Sequence, residues 1–334
     1  MALAPAVASP VDPSAASPGG PSAPLAVPLP DPLSDALTVA DARGVFSGGF
    51  TAGGSWAIRL RGRDRLKVNA VVRGSCLLVS EAGGEPVRLG EGDLVVSDGR
   101  QPYVLCSAPG VAPLDSTEVA MDPVTRMARL GDGTGDEVVC VSGHIDLSRD
   151  SGDLLRRALP EFVHVRSGEA EAEALRWLIG QLVGEMSSGR AGAGFASDQL
   201  AQLVFVQVLR ICLAEAEVLP PGWLRALGDE RLAPALRLMH RDPGHPWQLE
   251  ELARAAAMSR TTFAVRFKEA AGVPPLTYLL NWRMSLAARA LRLDDTPVAE
   301  LARSVGYTSE SAFSNAFKRT VGVAPRRYRD AVRS

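Results

Sequence analysis

The sequence predicts an α+β protein: an N-terminal antiparallel β-barrel, a helical linker and a C-terminal all-α domain with two helix-turn-helix units. Three observations support this. Short apolar stretches alternate with glycine turns up to about residue 144, apolar residues then recur at helical spacing, and the C-terminal third contains an internal repeat with an offset of about fifty residues. The 334 residues are enough for two domains that each bury a core.

Residues 1–30 form a leader rich in alanine, proline and serine. We expect it to be disordered, because it has too few bulky side chains to pack. It also lacks the basic start and unbroken apolar stretch of a secretory signal, and no apolar run approaches the roughly 18 residues of a membrane span. We therefore expect a cytoplasmic protein with no membrane contact, whose cysteines are reduced.

Residues 31–150 contain the apolar stretches that predict strands. Glycine-containing turns such as Gly53-Gly54 and Asp98-Gly99 separate them, and this spacing is typical of a small antiparallel barrel or sandwich. The predicted strands are residues 45–50, 56–60, 66–72, 76–79, 94–96, 103–106 and 138–141.

Residues 151–221 form the predicted linker, with helices at 169–186 and 197–218 and Ser197 at the start of the second. The two helices either form a dimer contact or cover the barrel, and their sequence leaves both readings open. Pro220-Pro221-Gly222 then interrupts the chain, and we place a domain boundary there, with the last domain at 222–334.

The charge distribution separates this last domain from the rest. Residues 230–334 hold 17 Lys and Arg against 10 Asp and Glu, a net charge of +7, whereas residues 1–229 hold 19 against 28, a net charge of −9. The sum is the overall −2. A basic third on an otherwise acidic chain is what binding to nucleic-acid phosphates requires.

The repeat has the pattern F-x₃-F-K-x₃-G-V-x-P-x₂-Y, which occurs at residues 263–278 and again at 313–328. An E-L-A-R segment precedes each copy, at 251–254 and 300–303, and the turn that follows it is one residue longer in the second copy. The helices predicted across this region are residues 230–241, 249–257, 260–271, 275–293, 298–304, 310–321 and 325–332.

Each copy predicts a helix, a capped turn and a second helix. Ser259 and Thr308 are suitable N-caps for the second helices. The phenylalanines are four residues apart in each copy, so both face the core and leave the opposite face of the helix polar. Such a helix suits the major groove of DNA. The alternative is a helical repeat for protein contacts, but such arrays need three or more copies and this chain has two.

The region 222–334 resembles the DNA-binding domain of the AraC/XylS family of transcription regulators. The residues that carry the resemblance are Gly306-Tyr307, Phe313, Phe317-Lys318, Gly322, Pro325 and Tyr328-Arg329. It implies two helix-turn-helix units joined by the helix at 275–293, and double-stranded promoter DNA as the partner. It also implies a sequence-specific regulator, expected to be an activator that contacts RNA polymerase, without catalytic residues.

The resemblance also implies which side chains contact DNA. Base-reading candidates in the first recognition helix are Thr261, Ala264 and Val265, with Arg260 beside them. Because Ala264 and Val265 cannot hydrogen-bond to bases, we expect this helix to recognise thymine methyl groups or DNA shape. The candidates in the second recognition helix are Glu310, Ser311, Ser314 and Asn315.

Asn315 is the best candidate for a bidentate contact to adenine. Glu310 either accepts from a cytosine amino group or only complements the helix dipole, and we favour the dipole. The phosphate candidates, each of which is also explained as an ordinary solvated surface residue, are Ser259, Lys268, Thr308, Lys318, Arg319, Arg326, Arg327 and Arg329.

Residues 31–145 resemble the cupin-type sensor domain that precedes the DNA-binding region in a branch of this family. The resemblance rests on residues 31–34, 44–48, 74–76 and 89–95. Asn69 and Tyr103 stand where metal-binding cupins often have histidines, so we expect no metal and no cofactor, which counts against the rival hypothesis of a cupin enzyme. His144 and His164 are interpreted as local structural residues.

Two sensing mechanisms remain open at this domain. A small apolar effector could occupy the barrel, or Cys76, Cys106 and Cys140, predicted to face inward with Val68, Val72 and Val104, could be oxidised. Buried cysteines that only pack as small apolar side chains are the alternative to the redox hypothesis. We expect a homodimer through the 169–218 helices. The remaining rival is an adaptor whose basic helices bind an acidic protein instead of DNA.

Overall fold

Two β-sheets make up most of the N-terminal half in the computed structural model, which describes residues 31–62, 65–148, 152–168 and 172–333. The predicted disordered leader at 1–30 lies outside the described residues. The strands are β1 (Arg43–Gly53), β2 (Ala57–Leu60), β3 (Leu66–Arg73), β4 (Cys76–Ser80), β5 (Val87–Leu89), β6 (Leu94–Ser97), β7 (Tyr103–Cys106), β8 (Leu114–Asp115), β9 (Met127–Gly131), β10 (Val138–Asp146) and β11 (Phe162–Val165).

Within the described residues the sheets have the orders β11-β6-β3-β10-β1-β9 and β5-β4-β7-β2-β8. Phe50 and Cys140 from the first sheet share a buried core with Leu78 and Leu105 from the second, so the sheets face each other. They do not close on each other, and the β1/β9 and β2/β8 pairs are parallel. The α+β class is confirmed, and of the two predicted forms, barrel or sandwich, the structure has an open sandwich, which includes two parallel strand pairs as well as antiparallel ones.

Helices cover one face of the sandwich and make up the C-terminal part. They are α1 (Pro32–Val39), α2 (Gly152–Arg157), α3 (Ala172–Ser188), α4 (Ala193–Ala214), α5 (Trp223–Gly228), α6 (Ala233–Arg241), α7 (Leu249–Ala255), α8 (Arg260–Ala271), α9 (Pro275–Leu293), α10 (Val298–Ser304), α11 (Glu310–Val321) and α12 (Pro325–Arg333). The predicted bounds of α8, α9, α10 and α11 are confirmed, because caps, prolines and glycines mark both ends of each helix. The sequence prediction missed α1, α2, α5, β5, β8, β9 and β11.

The helices α3 and α4 cover the outer face of the six-stranded sheet. Val204 and Phe205 of α4 pack in one buried core with Phe46 of β1. Two side chains of α4 also accept hydrogen bonds from the β1 backbone: Gln202 Oε1 from Gly44 N at 2.5 Å and Asp198 Oδ1 from Phe46 N at 2.9 Å. The covering role proposed as one alternative for these helices is therefore confirmed.

The start of α4 differs from the prediction. The helix begins at Ala193 after Gly192, whose φ of 85° lies in the left-handed region, and Ser197 is buried inside the helix. The prediction was wrong because the polar pair Ser197-Asp198 faces the sheet, where Asp198 bonds to β1. Among the described helices, α4 is long and apolar enough to cross a membrane by length and composition alone. Core helices of globular proteins meet the same criterion.

The hydrophobic core does not stop at the predicted domain boundary. One cluster of buried residues runs from Phe46 of the sheet through Leu209 of α4 and Leu224 of α5 to Phe263 of α8. A separate cluster holds α10, α11 and α12 against the second half of α9. The first helix-turn-helix unit thus shares a core with the N-terminal part, whereas the second has its own.

Candidate nucleic-acid interface

The helix α8 is fixed from behind by an aromatic cluster. Phe263 and Phe267 are fully buried, with ring centroids 5.6 Å apart, and Phe267 contacts Tyr278 of α9 edge-on at 5.6 Å. Because these side chains occupy one face of α8, the opposite face points away from the core.

The second unit repeats this arrangement. Phe313 and Phe317 of α11 are fully buried, with centroids 5.7 Å apart, and Phe317 contacts Tyr328 of α12 edge-on at 5.6 Å. The motif F-x₃-F…Y therefore produces the same aromatic triad twice. This confirms the inward orientation of the repeated phenylalanines.

Both recognition helices begin after a capping serine, but the second serine lies one residue further from its E-L-A-R segment than the first. Ser259 precedes α8, and its hydroxyl accepts a hydrogen bond from Thr262 N at 3.2 Å, as predicted. In the second copy the cap is Ser309, which accepts from Ala312 N at 3.2 Å, so the N-cap prediction for Thr308 was wrong. The extra residue in the second turn moves the helix start forward. A serine directly before the first-turn Glu310 was the signal that could have identified it.

The turn of each unit contains a left-handed residue at the same repeat position. It is Ala257 in the first copy, with φ of 51°, and Gly306 in the second, with φ of 84°. A Cβ atom on Gly306 would collide with the Gly244 carbonyl oxygen. Only glycine adopts this conformation without steric cost, so Ala257 holds its turn under strain.

The outward face of α8 carries the predicted first set of base-reading residues. Arg260, Thr261 and Val265 are exposed and Ala264 is half-buried. Val265 leaves 53% of its surface in solvent, so an apolar group is presented on this face. Arg260 forms an ion pair with Glu250 of α7, with 2.9 Å between Nη1 and Oε1.

The outward face of α11 is more polar. Ser311 and Asn315 are exposed, and Ser314 is half-buried beside them. Glu310 lies in the first turn, and its Oε1 accepts a hydrogen bond from Nη2 of Arg326 at 3.2 Å. This ion pair and the position near the helix N-terminus favour the dipole interpretation of Glu310 over cytosine recognition.

The predicted phosphate contacts fall into two groups. Most are exposed around the recognition helices: Ser259, Lys268, Thr308, Lys318, Arg319, Arg326 and Arg327. Arg329 is different, because its Nη2 donates to the Thr296 carbonyl and its Nε is buried. The inward position of Arg329 favours a structural role.

The helix α9 sets the separation of the two units. With 19 residues it is about 28 Å long, close to one turn of B-DNA at roughly 34 Å. Its Arg283 donates to the carbonyls of Pro243 at 2.5 Å and His245 at 2.7 Å, which fixes the loop before α7. Burial lowers the pKa of Arg283.

In the sandwich, Asn69 and Tyr103 occupy the positions where metal-binding cupins often have histidines, and these two side chains bond to each other. Asn69 Nδ2 donates to the Tyr103 hydroxyl at 2.5 Å, and both side chains are buried. His144 bonds to Ser47 at 2.7 Å and His164 to Asp93 at 3.0 Å, in agreement with local structural roles. Across the described residues, no group of three or more His, Cys, Asp or Glu side chains is arranged to hold a metal ion.

The sandwich cysteines are buried free thiols, but their predicted neighbours were partly wrong. Cys140 is paired with Val71 of β3, and both side chains lie in the core between the sheets, so the side chains next to Val71 along β3 point to the opposite face. Val68 and Val72 therefore pack on the helix-covered side, and Val104 is half-buried. Burial raises the pKa of Cys76 to about 12 and also raises the pKa values of Cys106 and Cys140.

The chain was compared with known proteins. A cupin family model matches residues 31–214, and a helix-turn-helix domain model matches residues 252–331. A putative AraC-like transcription regulator from Streptomyces antibioticus is 41% identical over 299 residues, which cover 90% of this chain and 98% of that protein. The chain belongs to the AraC-like transcription regulators. The resemblances to this family and to cupins are confirmed, and the helices α7, α8, α10 and α11 are those of its DNA-binding helix-turn-helix domain.

Other relatives of this regulator have similar names. The RCS-specific HTH-type transcriptional activator RclR of Escherichia coli strain K12 is 32% identical over 217 residues, 64% of this chain and 76% of that protein. The solved DNA-binding domain of AdpA, in complex with a target DNA, is 34% identical and covers 31% of this chain and 95% of that domain, with a TM-score of 0.30. Below, the cupin segment means residues 31–214 and the helical segment means residues 222–333.

Proposed function

We propose that this regulator binds promoter DNA in a sequence-specific manner by inserting α8 and α11 into two adjacent segments of the major groove. The observation that carries the proposal is the repeated aromatic triad, which buries one face of each helix and leaves the other face exposed at the two ends of α9. The excess of positive charge in residues 230–334 supplies the sequence-independent attraction to phosphates.

The two helices have different roles in recognition. Val265 is exposed and apolar, so α8 contacts thymine methyl groups and reads DNA shape, while Arg260 and Thr261 supply polar contacts. Asn315 on α11 makes the most specific contact, a pair of hydrogen bonds to one adenine, with Ser311 and Ser314 beside it. The exposed cations Lys268, Lys318, Arg319, Arg326 and Arg327, with the hydroxyls of Ser259 and Thr308, contact the phosphates.

The regulator acts as a homodimer through the outer faces of α3 and α4. These helices cover the sheet with one side, yet Trp177, Phe195 and Leu203 remain 63%, 75% and 49% exposed. Large exposed apolar side chains on two neighbouring helices support a surface that a second copy covers. A dimer would place two helical segments on tandem or inverted sites.

The cupin segment receives the signal, and the helical segment acts on transcription. The name of the E. coli relative supports a role in activation. In this role the DNA-bound regulator contacts RNA polymerase, and it does so in the cytoplasm. An effector molecule is a better candidate signal than thiol oxidation, because oxidation begins from the thiolate and burial keeps Cys76 protonated at neutral pH. The naming of the relatives as regulators supports a role without catalysis.

Selection from random DNA tests this proposal. The full chain is incubated with random duplexes at several salt concentrations, and bound sequences are recovered and read. The proposal predicts a motif of two elements about one helical turn apart, with affinity that falls as salt rises. Weak binding without a motif would contradict it and favour the adaptor hypothesis.

A further inference from the structure

The repeated E-L-A-R segment has no role yet in the proposed function. It occurs at residues 251–254 within α7 and at 300–303 within α10. The leucine and alanine of each copy are buried, so packing explains them. Glu251 caps α7, because its Oε2 accepts a hydrogen bond from the backbone of the N-cap residue at 2.9 Å. Arg254 and Arg303 are exposed, and neither packing nor capping explains them.

Both arginines are available to a partner outside the chain. Other exposed arginines of the helical segment form ion pairs, such as Arg260 with Glu250 at 2.9 Å and Arg266 with Asp229 at 2.6 Å. Across the part of the chain that the structure describes, the guanidinium groups at positions 254 and 303 have no such partner and no hydrogen bond.

The outward surfaces of the two units otherwise differ. Three pairs of equivalent outward positions differ in charge or polarity: Arg260 and Glu310, Val265 and Asn315, and Glu269 and Arg319. Two exposed cations are nevertheless identical, since Arg254 matches Arg303 and Lys268 matches Lys318. Side chains that read different bases must differ between the units. A side chain that is kept in both is expected to meet the same chemical group twice.

The group that two DNA-bound units meet in common is the backbone phosphate. Phosphates recur along the duplex with unchanged chemistry, and they position a protein without carrying sequence information. Lys268 and Lys318, which the proposed function places on phosphates, follow this rule. An acidic protein would present the same carboxylate to both units only if its own surface were repeated at their spacing. The repetition therefore favours phosphate as the partner of Arg254 and Arg303.

The position of Arg254 on α7 suits such a contact. Leu252 and Ala253 bury one side of α7, whereas Glu250 and Arg254 lie one turn apart on the exposed side. Glu250 contacts Arg260 in the first turn of α8, so the exposed side of α7 borders the N-terminal end of the recognition helix. In helix-turn-helix proteins that end contacts the bases, while the first helix crosses the DNA backbone.

Arg303 has the same local geometry in the second unit. The carbonyl of Arg254 accepts a hydrogen bond from Ala257 N, and the carbonyl of Arg303 accepts one from Gly306 N, each at 3.0 Å. Each arginine thus stands three residues before the left-handed residue of its turn. The two side chains therefore leave equivalent points of the two units.

We propose that Arg254 and Arg303 each bind one DNA phosphate beside the groove segment that their own unit reads. The two contacts give both units the same orientation on the backbone and leave the differing bases to α8 and α11. This inference rests on the proposed function and deepens it, since it assigns the first helix of each unit a direct part in DNA binding.

The salt dependence of DNA binding tests the proposal on the full chain. Arg254→Gln, Arg303→Gln and the double variant are compared with the native chain on a selected duplex and on a duplex of scrambled sequence. One phosphate contact contributes about 0.9 to the magnitude of the slope of log affinity against log salt concentration. We expect each single variant to lose about 0.9 of this slope, and the double variant about 1.8, on both duplexes. At about 0.1 M salt each single variant should bind roughly five- to tenfold more weakly.

Two further variants and a stability measurement are the controls. Arg237→Gln removes one exposed cation from α6, outside the repeat, and should leave the slope native. Arg254→Lys keeps the charge and should retain most of the slope. Arg254 and Arg303 also lie in the last turns of their helices, where a cation complements the helix dipole. Thermal unfolding separates that role from a DNA contact, and we expect native unfolding temperatures for both glutamine variants.

An unchanged slope in both single variants would overturn the proposal and leave an acidic protein as the partner of the pair. Lowered unfolding temperatures that account for the loss of affinity would overturn it in favour of the helix dipole. If the native chain selects a motif and the variants keep its slope, the phosphate contacts fail and the proposed function stands. If the native chain selects no motif but the variants lose slope on scrambled DNA, sequence-specific binding fails and the phosphate contacts stand.

Discussion

Arg289 of α9 donates a hydrogen bond from Nε to the backbone carbonyl of Thr38, 3.1 Å away at the C-terminal end of α1. Arg292, one turn further along α9, points its guanidinium at the neighbouring Val39 carbonyl at 3.5 Å. Cations at a helix C-terminus are favourable because the last carbonyls lack intrahelical partners. The helix that joins the two DNA-binding units is thus attached to the start of the cupin segment.

Arg289→Met is expected to loosen this attachment. Loss of the bond should lower the free energy of unfolding by about 0.5–1.5 kcal/mol, while the methionine keeps the packing of the aliphatic chain. Thermal unfolding of the full chain measures the effect, with Arg237→Met on the exposed face of α6 as the control. Equal unfolding temperatures for the two variants would show that the bond contributes nothing.

The left-handed turn residues Gly306 and Ala257 predict that opposite substitutions change the free energy of unfolding in opposite directions. Gly306→Ala should destabilise by roughly 2 kcal/mol or more, because a left-handed alanine costs about 1–2 kcal/mol and its Cβ would also meet the Gly244 carbonyl. Ala257→Gly should stabilise by up to about 1 kcal/mol, since relief of strain exceeds the added freedom of the unfolded chain. Urea unfolding of both variants checks the signs. Stabilisation by Gly306→Ala would refute this account of the turns.

Protonation of His240 predicts a loss of stability in mild acid. Burial lowers the pKa of His240, although Asp35, with its Oδ2 3.5 Å from Nδ1, acts in the opposite direction. As pH falls through the ordinary histidine value near 6.5, the unfolded chain takes up a proton that the folded chain refuses. The free energy of unfolding should therefore decrease, by at most about 1.4 kcal/mol per pH unit, until the lowered pKa is passed.

Urea unfolding at pH 7.5, 6.5 and 5.5 measures this effect. His240→Gln should show a smaller loss than the native chain across this window, since it removes the titrating group. His245→Gln is the control, because the His245 side chain is 39% exposed. If His240→Gln and the native chain lose stability equally, the buried imidazole does not govern the acid response.

Burial of the four cysteines predicts that they resist alkylation in the folded protein. Cys76, Cys106, Cys140 and Cys212 are buried free thiols, and burial raises the pKa of Cys212, like that of Cys76, to about 12. Iodoacetamide at pH 7.5 should label them only on the timescale of unfolding, as followed by intact mass. In denaturant all four should react. Rapid labelling of Cys76 in the folded state would revive the redox hypothesis.

The sequence was most informative where local chemistry decides the structure. The spacing of Phe263 and Phe267 and of Phe313 and Phe317 set the inward faces of the recognition helices, because residues four apart share one face. The cap of α11 was misplaced by one residue, since Thr308 and Ser309 both have a capping hydroxyl. The added turn residue and the position of Ser309 directly before the first-turn Glu310 distinguish them.

Contacts between distant parts of the chain had no local signal. Arg289 and Thr38 are 251 positions apart, and no periodicity or composition relates them. The core shared by Phe46 and Phe263 is equally non-local, so the sequence suggested a boundary at Pro220-Pro221-Gly222 where the packing is continuous. Whether a sheet closes into a barrel or remains an open sandwich also depends on register shifts such as the one at Cys140.

The contribution of Asn315 to DNA recognition tests the central claim most directly. The full chain, Asn315→Ala and the control Thr320→Ala, which changes an exposed residue in the last turn of the same helix, are each used to select sites from random duplexes. The account predicts that Asn315→Ala loses preference for adenine at one position, at a cost of about 1–3 kcal/mol, while Thr320→Ala recovers the native motif. An Asn315→Ala motif identical to the native one, or a uniform loss of affinity at every position, would contradict base recognition by α11.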